Sequence, residues 1–196
     1  MEIKRPESKQ PLPENAKRVF KGIIFDVYQW EQELFDGSKA IFEKLKRPDT
    51  VVIIPVLENG NILVSRQEQP GKKMINFGLF GGMVDEGESP LKAAKRELLE
   101  ESGYISEEWE LFDSIQPMSK IEWAIYTYIA RKCRKVQEQK LEAGEKIEIK
   151  EFSFEEFINL IFTEDFYDAE LKLKLLDAKL NPTKMDEFKS FLIKMS

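Results

Sequence analysis

The sequence predicts a mixed α/β domain preceded by a small antiparallel sheet. Three observations carry that reading. Two Gly-containing turns, Asp36-Gly37 and Asn59-Gly60, each separate β-rich runs. One helix is marked at both ends, by Ser89-Pro90 at its start and Gly103 at its close. Three further helical patterns follow Phe152.

Residues 1–16 carry Pro6, Pro11 and Pro13 among polar side chains, too little apolar surface to pack, and are expected as a flexible lead-in. Residues 17–48 are expected to form an N-terminal β-hairpin sheet. The run from Arg18 to Trp30 is rich in β-branched and aromatic residues, and Asp36-Gly37 turns it into KAIFEKL. Residues 49–196 then form the main domain. Val51 to Leu57 reads as a buried strand interrupted only by Pro55, and Asn59-Gly60 returns it as Asn61 to Arg66. After Pro70-Gly71 and a basic loop, Phe77 to Val84 holds Gly78, Gly81 and Gly82. That is more glycine than a strand interior tolerates unless something approaches its backbone closely.

The marked helix runs from Ser89 to Gly103. Strands are expected at Trp109–Ser114, Glu122–Arg131 and Lys146–Phe152, with KVQEQKLEAGEK as a long polar excursion between the last two. Helical patterns at Phe154–Phe162, Ala169–Ala178 and Met185–Lys194 close the chain.

Composition narrows the chemistry. The 196 residues are 42% apolar and 34% charged, with 14 Phe and 3 Trp, a globular profile with material for a dense core. No apolar run approaches the roughly 20 residues that span a bilayer, and the opening segment lacks the apolar middle of a secretory signal. A cytoplasmic protein without a membrane partner is expected. A single cysteine, Cys133, excludes an internal disulfide. The absence of any histidine removes imidazole acid–base chemistry and nearly all zinc sites, leaving carboxylates, Lys, Arg, Tyr or a hard metal. A net charge of -6 and a pI near 5.1 speak against a nucleic-acid partner.

On the marked helix Leu91, Ala94 and Leu98 form a buried stripe at three- and four-residue spacings. Glu97, Glu100 and Glu101 crowd the flank beside it, where like charges destabilise an isolated helix. A divalent cation removes that conflict. All-oxygen ligation suits Mg²⁺, with Mn²⁺ as a substitute, and such an ion commonly grips one or two carboxylates together with substrate phosphates. The chemistry implied is phosphorus–oxygen cleavage, in which a metal activates water and Glu takes the proton without histidine. Taken alone, a glutamate cluster reads first as a solvated helix face; the wider pattern overturns that reading.

GGMVDEGESPLKAAKRELLEESGY resembles the Nudix box in eight positions: Gly82, Glu88, Arg96, Glu97, Leu98, Glu100, Glu101 and Gly103. Tyr104 departs from the aliphatic residue usual at the last position. The resemblance implies a Nudix fold, a mixed sheet sandwiched between helices. It also implies metal ligation by Glu97 and Glu101 and by the Gly81 carbonyl, with Glu100 as ligand or base, Arg96 as an orienting catalytic partner, and Gly82, Glu88 and Gly103 as structural positions.

From Arg18 to Phe157 the chain is similar to the ADP-ribose and nucleoside-diphosphate-sugar pyrophosphatases, on the strength of its N-terminal hairpin, RPDTVVIIPV, ILVSRQEQP and LEAGEKIEIKEFSFEEF. That likeness makes Glu145 the loop carboxylate for metal or water, and it implies a homodimer that shares the N-terminal sheet. Substrate-binding candidates are Arg66 and Arg47 for phosphate and Trp30 and Tyr28 for a base. Packing or a surface salt bridge is the competing role for each. Departures bear on the substrate: Gly78-Leu79-Phe80-Gly81-Gly82 replaces the branch's Glu-Leu-Pro-Ala-Gly, Gln69 stands at its second strand arginine, and Pro117 is out of register with its later proline. ADP-ribose and other nucleoside-diphosphate sugars therefore stay open. Nucleoside triphosphates or dinucleoside polyphosphates, and a non-catalytic nucleotide-sensing module, are the alternatives.

Overall fold

The computed structural model describes residues 4–71 and 76–194. The basic stretch expected after Gly71 falls largely at residues 72–75 and lies outside them. Fifteen elements follow in order: β1 Lys17–Lys21, β2 Asp26–Glu33, β3 Lys39–Lys46, β4 Thr50–Leu57, β5 Ile62–Glu68, β6 Asn76–Gly78, α1 Pro90–Ser102, β7 Tyr104–Ile105, β8 Glu108–Ile115, β9 Ile121–Glu122, β10 Ile125–Lys135, β11 Lys146–Phe152, α2 Phe154–Ile161, α3 Ala169–Leu180 and α4 Pro182–Ile193.

Two sheets organise these strands. The smaller has the order β1-β2-β3-β9. The run expected as one strand from Arg18 to Trp30 breaks at Gly22–Phe25, where the Gly22 N–H donates to the Phe25 carbonyl at 3.0 Å, so it forms two antiparallel strands. The Asp36-Gly37 turn joins β2 to β3, with Gly37 at φ 82. β9 adds in parallel to β3 through Leu45 and Ile121, so a segment from the main domain completes this sheet.

The larger sheet has the order β11-β5-β4-β10-β7, with β6 on β5 and β8 on β10. β4 and β10 run parallel at its centre. Pro55 sits within β4 because the ladder is already interrupted there: the register shifts between Ala130 and Cys133, and Lys132 takes φ 51. Phe77–Val84 is less regular than a strand. Beyond β6 it keeps single bridges from Phe80 to Ile53 and from Met83 to Thr50.

Alternation along the central strands divides the core into two layers. Ile54 and Val56 of β4 and Ile62 and Val64 of β5 face α2, α3 and α4, packing with Phe157, Phe166, Leu175 and Leu192. Val51, Ile53 and Leu63 face the other way, onto Ala93, Ala94 and Leu98 of α1. The sheet therefore lies between helices, and among the described residues α1 is the helix on the face that carries the acidic cluster. No described helix is long and apolar enough to cross a membrane.

Among the described residues, 4–16 carry no helix or strand, yet they are tied down. Arg5 bonds Asp49 at 2.8 and 2.9 Å and Glu122 at 2.7 Å. The fully buried Lys44 ammonium donates to Ser8 Oγ at 2.8 Å, the Gln10 carbonyl at 2.5 Å and Glu122 at 2.7 Å. Composition alone read residues 4–10 as loose; distant ion pairs hold them across both sheets.

Candidate active site

The site is built on the two ends of α1 and the loops that meet them. Ser89 caps the start, its hydroxyl accepting from the Lys92 amide, and Pro90 supplies a first-turn φ at no hydrogen-bond cost. Gly103 closes the helix in the left-handed region at φ 75, where a Cβ would lie 2.1 Å from the Gln137 carbonyl oxygen. The buried face is Ala93, Ala94, Leu98, Glu101 and Ser102. Glu101 thus continues the apolar stripe instead of standing on its solvated flank, and it is only 5% exposed.

Burial sets the electrostatics. The Glu101 carboxyl is pushed up to about 8, first by desolvation and then by the charges of Glu97, Glu145 and Glu100, against a stabilising hydrogen bond from the Gly81 amide at 2.8 Å. Glu97 is raised too, by desolvation first, with Arg96 opposing and Glu100 and Glu145 adding to it. Arg96 knits the cluster together. It bonds Glu97 at 2.7 Å, Glu100 at 3.3 Å, Glu88 at 3.0 and 3.3 Å and the Met83 carbonyl at 3.0 Å. Its guanidinium in turn holds the Glu88 carboxyl below the usual range.

The glycine-rich loop approaches this cluster closely. The Ile53 amide donates to the Phe80 carbonyl at 2.8 Å and the Val51 amide to the Gly82 carbonyl at 2.9 Å. Between them Gly81, at φ 151, offers its amide to Glu101, and among the described residues no donor meets its carbonyl. A Cβ on Gly82 would lie 2.3 Å from Glu97 Oε1, so the glycine is required by the carboxylate itself.

The loop from Val136 to Glu145 meets the other end of α1. Val136 and Gln137 amides donate to the Gly103 carbonyl, the Lys140 amide to the Glu100 carbonyl at 2.8 Å, and the Gln139 side chain to the Glu101 carbonyl at 2.5 Å. Glu145 lies at the far end of this loop, its carboxylate accepting from the Glu142 amide at 2.9 Å. Among the described residues no three acidic groups form a finished coordination cage. Glu97 is engaged by Arg96, Glu101 by Gly81 and Glu145 by Glu142.

The other candidates lie elsewhere. Arg66 pairs with Glu148 at 3.1 Å across β5 and β11. Strand alternation puts it on the face of Ile62 and Val64, opposite α1, so the structure does not bring it to the carboxylates. Trp30 is buried against Phe42, ring centroids 6.0 Å apart, with its Nε1–H on Gln32. Tyr28, also on β2, is half-buried. Arg47 lies over the Trp123 ring at 4.7 Å and the Phe25 ring at 5.5 Å, and its buried Nε has no hydrogen-bond partner among the described residues. Gln139 escaped the sequence reading: its contact to α1 spans 38 residues and carries no local signal.

A family model described as the NUDIX domain matches residues 46–175. The chain is 24% identical over 155 residues to the ADP-ribose pyrophosphatase of Bacillus subtilis, covering 78% of this chain and 84% of that one. It is 27% identical over 158 residues to the methanol dehydrogenase activator of Bacillus methanolicus, covering 79% and 84% respectively. The ADP compounds hydrolase NudE of Escherichia coli is 30% identical over 97 residues, 48% of this chain and 52% of that protein. A crystal structure of an ADP compounds hydrolase superposes with a TM-score of 0.69 at 22% identity, covering 90% of this chain and 97% of that one, which shows a shared fold.

Proposed function

The chain belongs to the Nudix family and is a pyrophosphohydrolase, and from that premise we propose that it cuts the pyrophosphate bridge of ADP-ribose or another nucleoside-diphosphate sugar. The products are a nucleoside monophosphate and a sugar phosphate. The observation that carries this reading is Glu101. A carboxyl 5% exposed and pushed up to about 8, in the field of three other glutamates, is an arrangement that a divalent cation would relieve.

The residues present fit Mg²⁺, with Mn²⁺ as a substitute. Glu97, Glu101, the Gly81 carbonyl, Glu100 and Glu145 would hold it, all hard oxygen donors. When bound, the metal supplies charge for the phosphoryl oxygens and a water of lowered pKa. The chain supplies orientation and the proton acceptor. Arg96 sets the direction of Glu97 and Glu100, the Gly81 amide aims one Glu101 oxygen, and Glu100 or Glu145 takes the proton of the attacking water.

Arg47 is the best-placed substrate contact of the N-terminal half. It borders a cavity lined by Arg5, Lys46, Asp49 and Glu122, and its Nε beside Trp123, without a hydrogen-bond partner among the described residues, suits a phosphate or a base. Tyr28 is the second candidate. The exposed apolar residues of the N-terminal sheet support a homodimer built on it.

The test is a substrate screen with added Mg²⁺ over nucleoside-diphosphate sugars, dinucleoside polyphosphates and nucleoside triphosphates. Nucleoside monophosphate plus sugar phosphate is the expected outcome. Pyrophosphate released from triphosphates, with nucleotide sugars untouched, would overturn it.

A further inference from the structure

The last carbonyls of a helix lack intrahelical donors and must find partners elsewhere. In α1 the Leu99 carbonyl is met by the Gly103 amide at 2.9 Å, as the capping glycine allows. The next two belong to Glu100 and Glu101, and both are met by one loop: the Lys140 amide bonds the first at 2.8 Å and Gln139 Nε2 the second at 2.5 Å. The same amide group also donates to the Ile147 carbonyl at 3.2 Å, at the start of β11. Gln139 therefore bridges the carbonyl end of the acidic helix and the strand to which the loop returns. Leu141, two residues on, packs into the core layer beneath α1. Glu145 lies on the stretch of loop between these anchors.

We propose that Gln139 is a positioning residue of the active site, clamping the loop that carries Glu145 against the helix that carries Glu97, Glu100 and Glu101. The proposal rests on the functional reading above, in which those four carboxylates work together. Its physical content is that a primary amide has two N–H groups, and Gln139 Nε2 donates to two carbonyls on different elements, Glu101 on α1 and Ile147 on β11. Without it the Glu101 carbonyl loses its partner and the loop loses one of its fastenings to α1. A shift of about 1 Å in a reacting group is enough to lower turnover on the order of a hundredfold. Gln139 donates to none of the four carboxylates, so its effect passes through the placement of Glu145.

The experiment uses the full chain with Gln139→Met, which keeps length and removes the donors, and Glu145→Gln, alone and combined. Gln139→Met is expected to lower kcat roughly 10- to 100-fold with KM within about twofold. In the Glu145→Gln background the same change should cost less than about threefold, because residues that act as a unit are not additive. Two readouts are independent of turnover. Deuterium exchange at the Lys140 and Glu145 amides should accelerate, and Mn²⁺ binding without substrate, followed by paramagnetic resonance, should weaken several-fold. Should Gln139→Met fail to fold, Gln139→Glu removes the donors while keeping the shape and is judged by the same outcomes. Unchanged exchange and Mn²⁺ affinity would overturn the clamp, as would an equal loss of kcat in both backgrounds. If the wild-type chain hydrolyses no nucleoside-diphosphate compound, the functional reading fails, while exchange and Mn²⁺ affinity still decide the clamp.

Discussion

The Gly81 backbone N–H donates a 2.8 Å hydrogen bond to Oε2 of Glu101, joining the glycine-rich loop to the buried face of α1. One neutral donor does not offset the burial of a full negative charge, since carboxylates taken from water require a countercharge or a proton. Glu101 thus holds its place at a cost to the fold, and that cost can be measured.

Glu101→Gln keeps the volume and the Gly81 hydrogen bond but removes the charge. The folded carboxyl titrates at about 8, above the roughly 4.3 of an unfolded chain. Between those values the native state binds more protons, so its stability falls as pH rises. In chelator at pH 8.5 the variant should melt about 4–8 °C above wild type, a gain of about 2 kcal/mol, with the gap closing towards pH 5. Turnover should drop at least a hundredfold. Scanning calorimetry at the two pH values and a steady-state assay check both halves; equal melting at pH 8.5 contradicts the first, and near-normal turnover the second.

Two adjacent glycines should behave oppositely. A methyl on Gly82 meets first the end of the Glu97 side chain, at 2.3 Å, and that side chain can swing away by giving up its bond to Arg96. Gly82→Ala should cost under about 1 kcal/mol in stability and yet lower turnover tenfold or more. A methyl on Gly81 meets the Val51 carbonyl oxygen at 2.1 Å from a backbone at φ 151, and the strand cannot yield. Gly81→Ala should lose about 2–4 kcal/mol. Denaturant titrations of both variants separate the cases; comparable stability losses would refute the distinction.

Chelation should stop turnover, and Mg²⁺ or Mn²⁺ should restore it without any need for zinc. Because the ligands must be ionised, added Mg²⁺ should raise the melting temperature more at pH 8 than at pH 5. Full activity in exhaustively chelated protein would rule the metal out.

The N-terminal sheet exposes Val19, Phe20, Ile23, Phe35 and Ile41. Exposed apolar side chains of this number on one small sheet are surface that a two-fold pair could bury, each side used twice. Sedimentation is expected to give about twice 22.9 kDa, and Phe20→Glu together with Ile41→Glu should halve that mass. A wild-type monomer at micromolar concentration would defeat the dimer.

Legibility in the sequence followed the range of the interaction. α1 could be read to within one residue because Ser89, Pro90 and Gly103 are local stop signals for backbone groups. The break at Gly22 was hidden because apolar Ile23, Ile24 and Phe25 prolong the strand pattern across the turn. Glu101 was read as a flank residue because spacing gives an angle around the helix but not the width of its buried face. The face of Arg66 depends on strand alternation within a packed sheet, and the anchoring of Arg5 on partners 44 and 117 residues away. The box pattern located the acidic helix; the loop that caps it could be placed only in three dimensions.

The ion-pair clasp of Arg5, Lys44, Asp49 and Glu122 has a consequence for biosynthesis. Residue 5 leaves the ribosome well before its partner Glu122, which follows 117 residues later, and β9, the last strand of the smaller sheet, ends at that same residue. At roughly 5–20 residues per second the edge of β3 waits several seconds or more before β9 can pair with it. Until then that edge presents unpaired backbone groups that another strand could take up, and Glu122 brings the β9 pairing and the Arg5 and Lys44 ion pairs together on one residue.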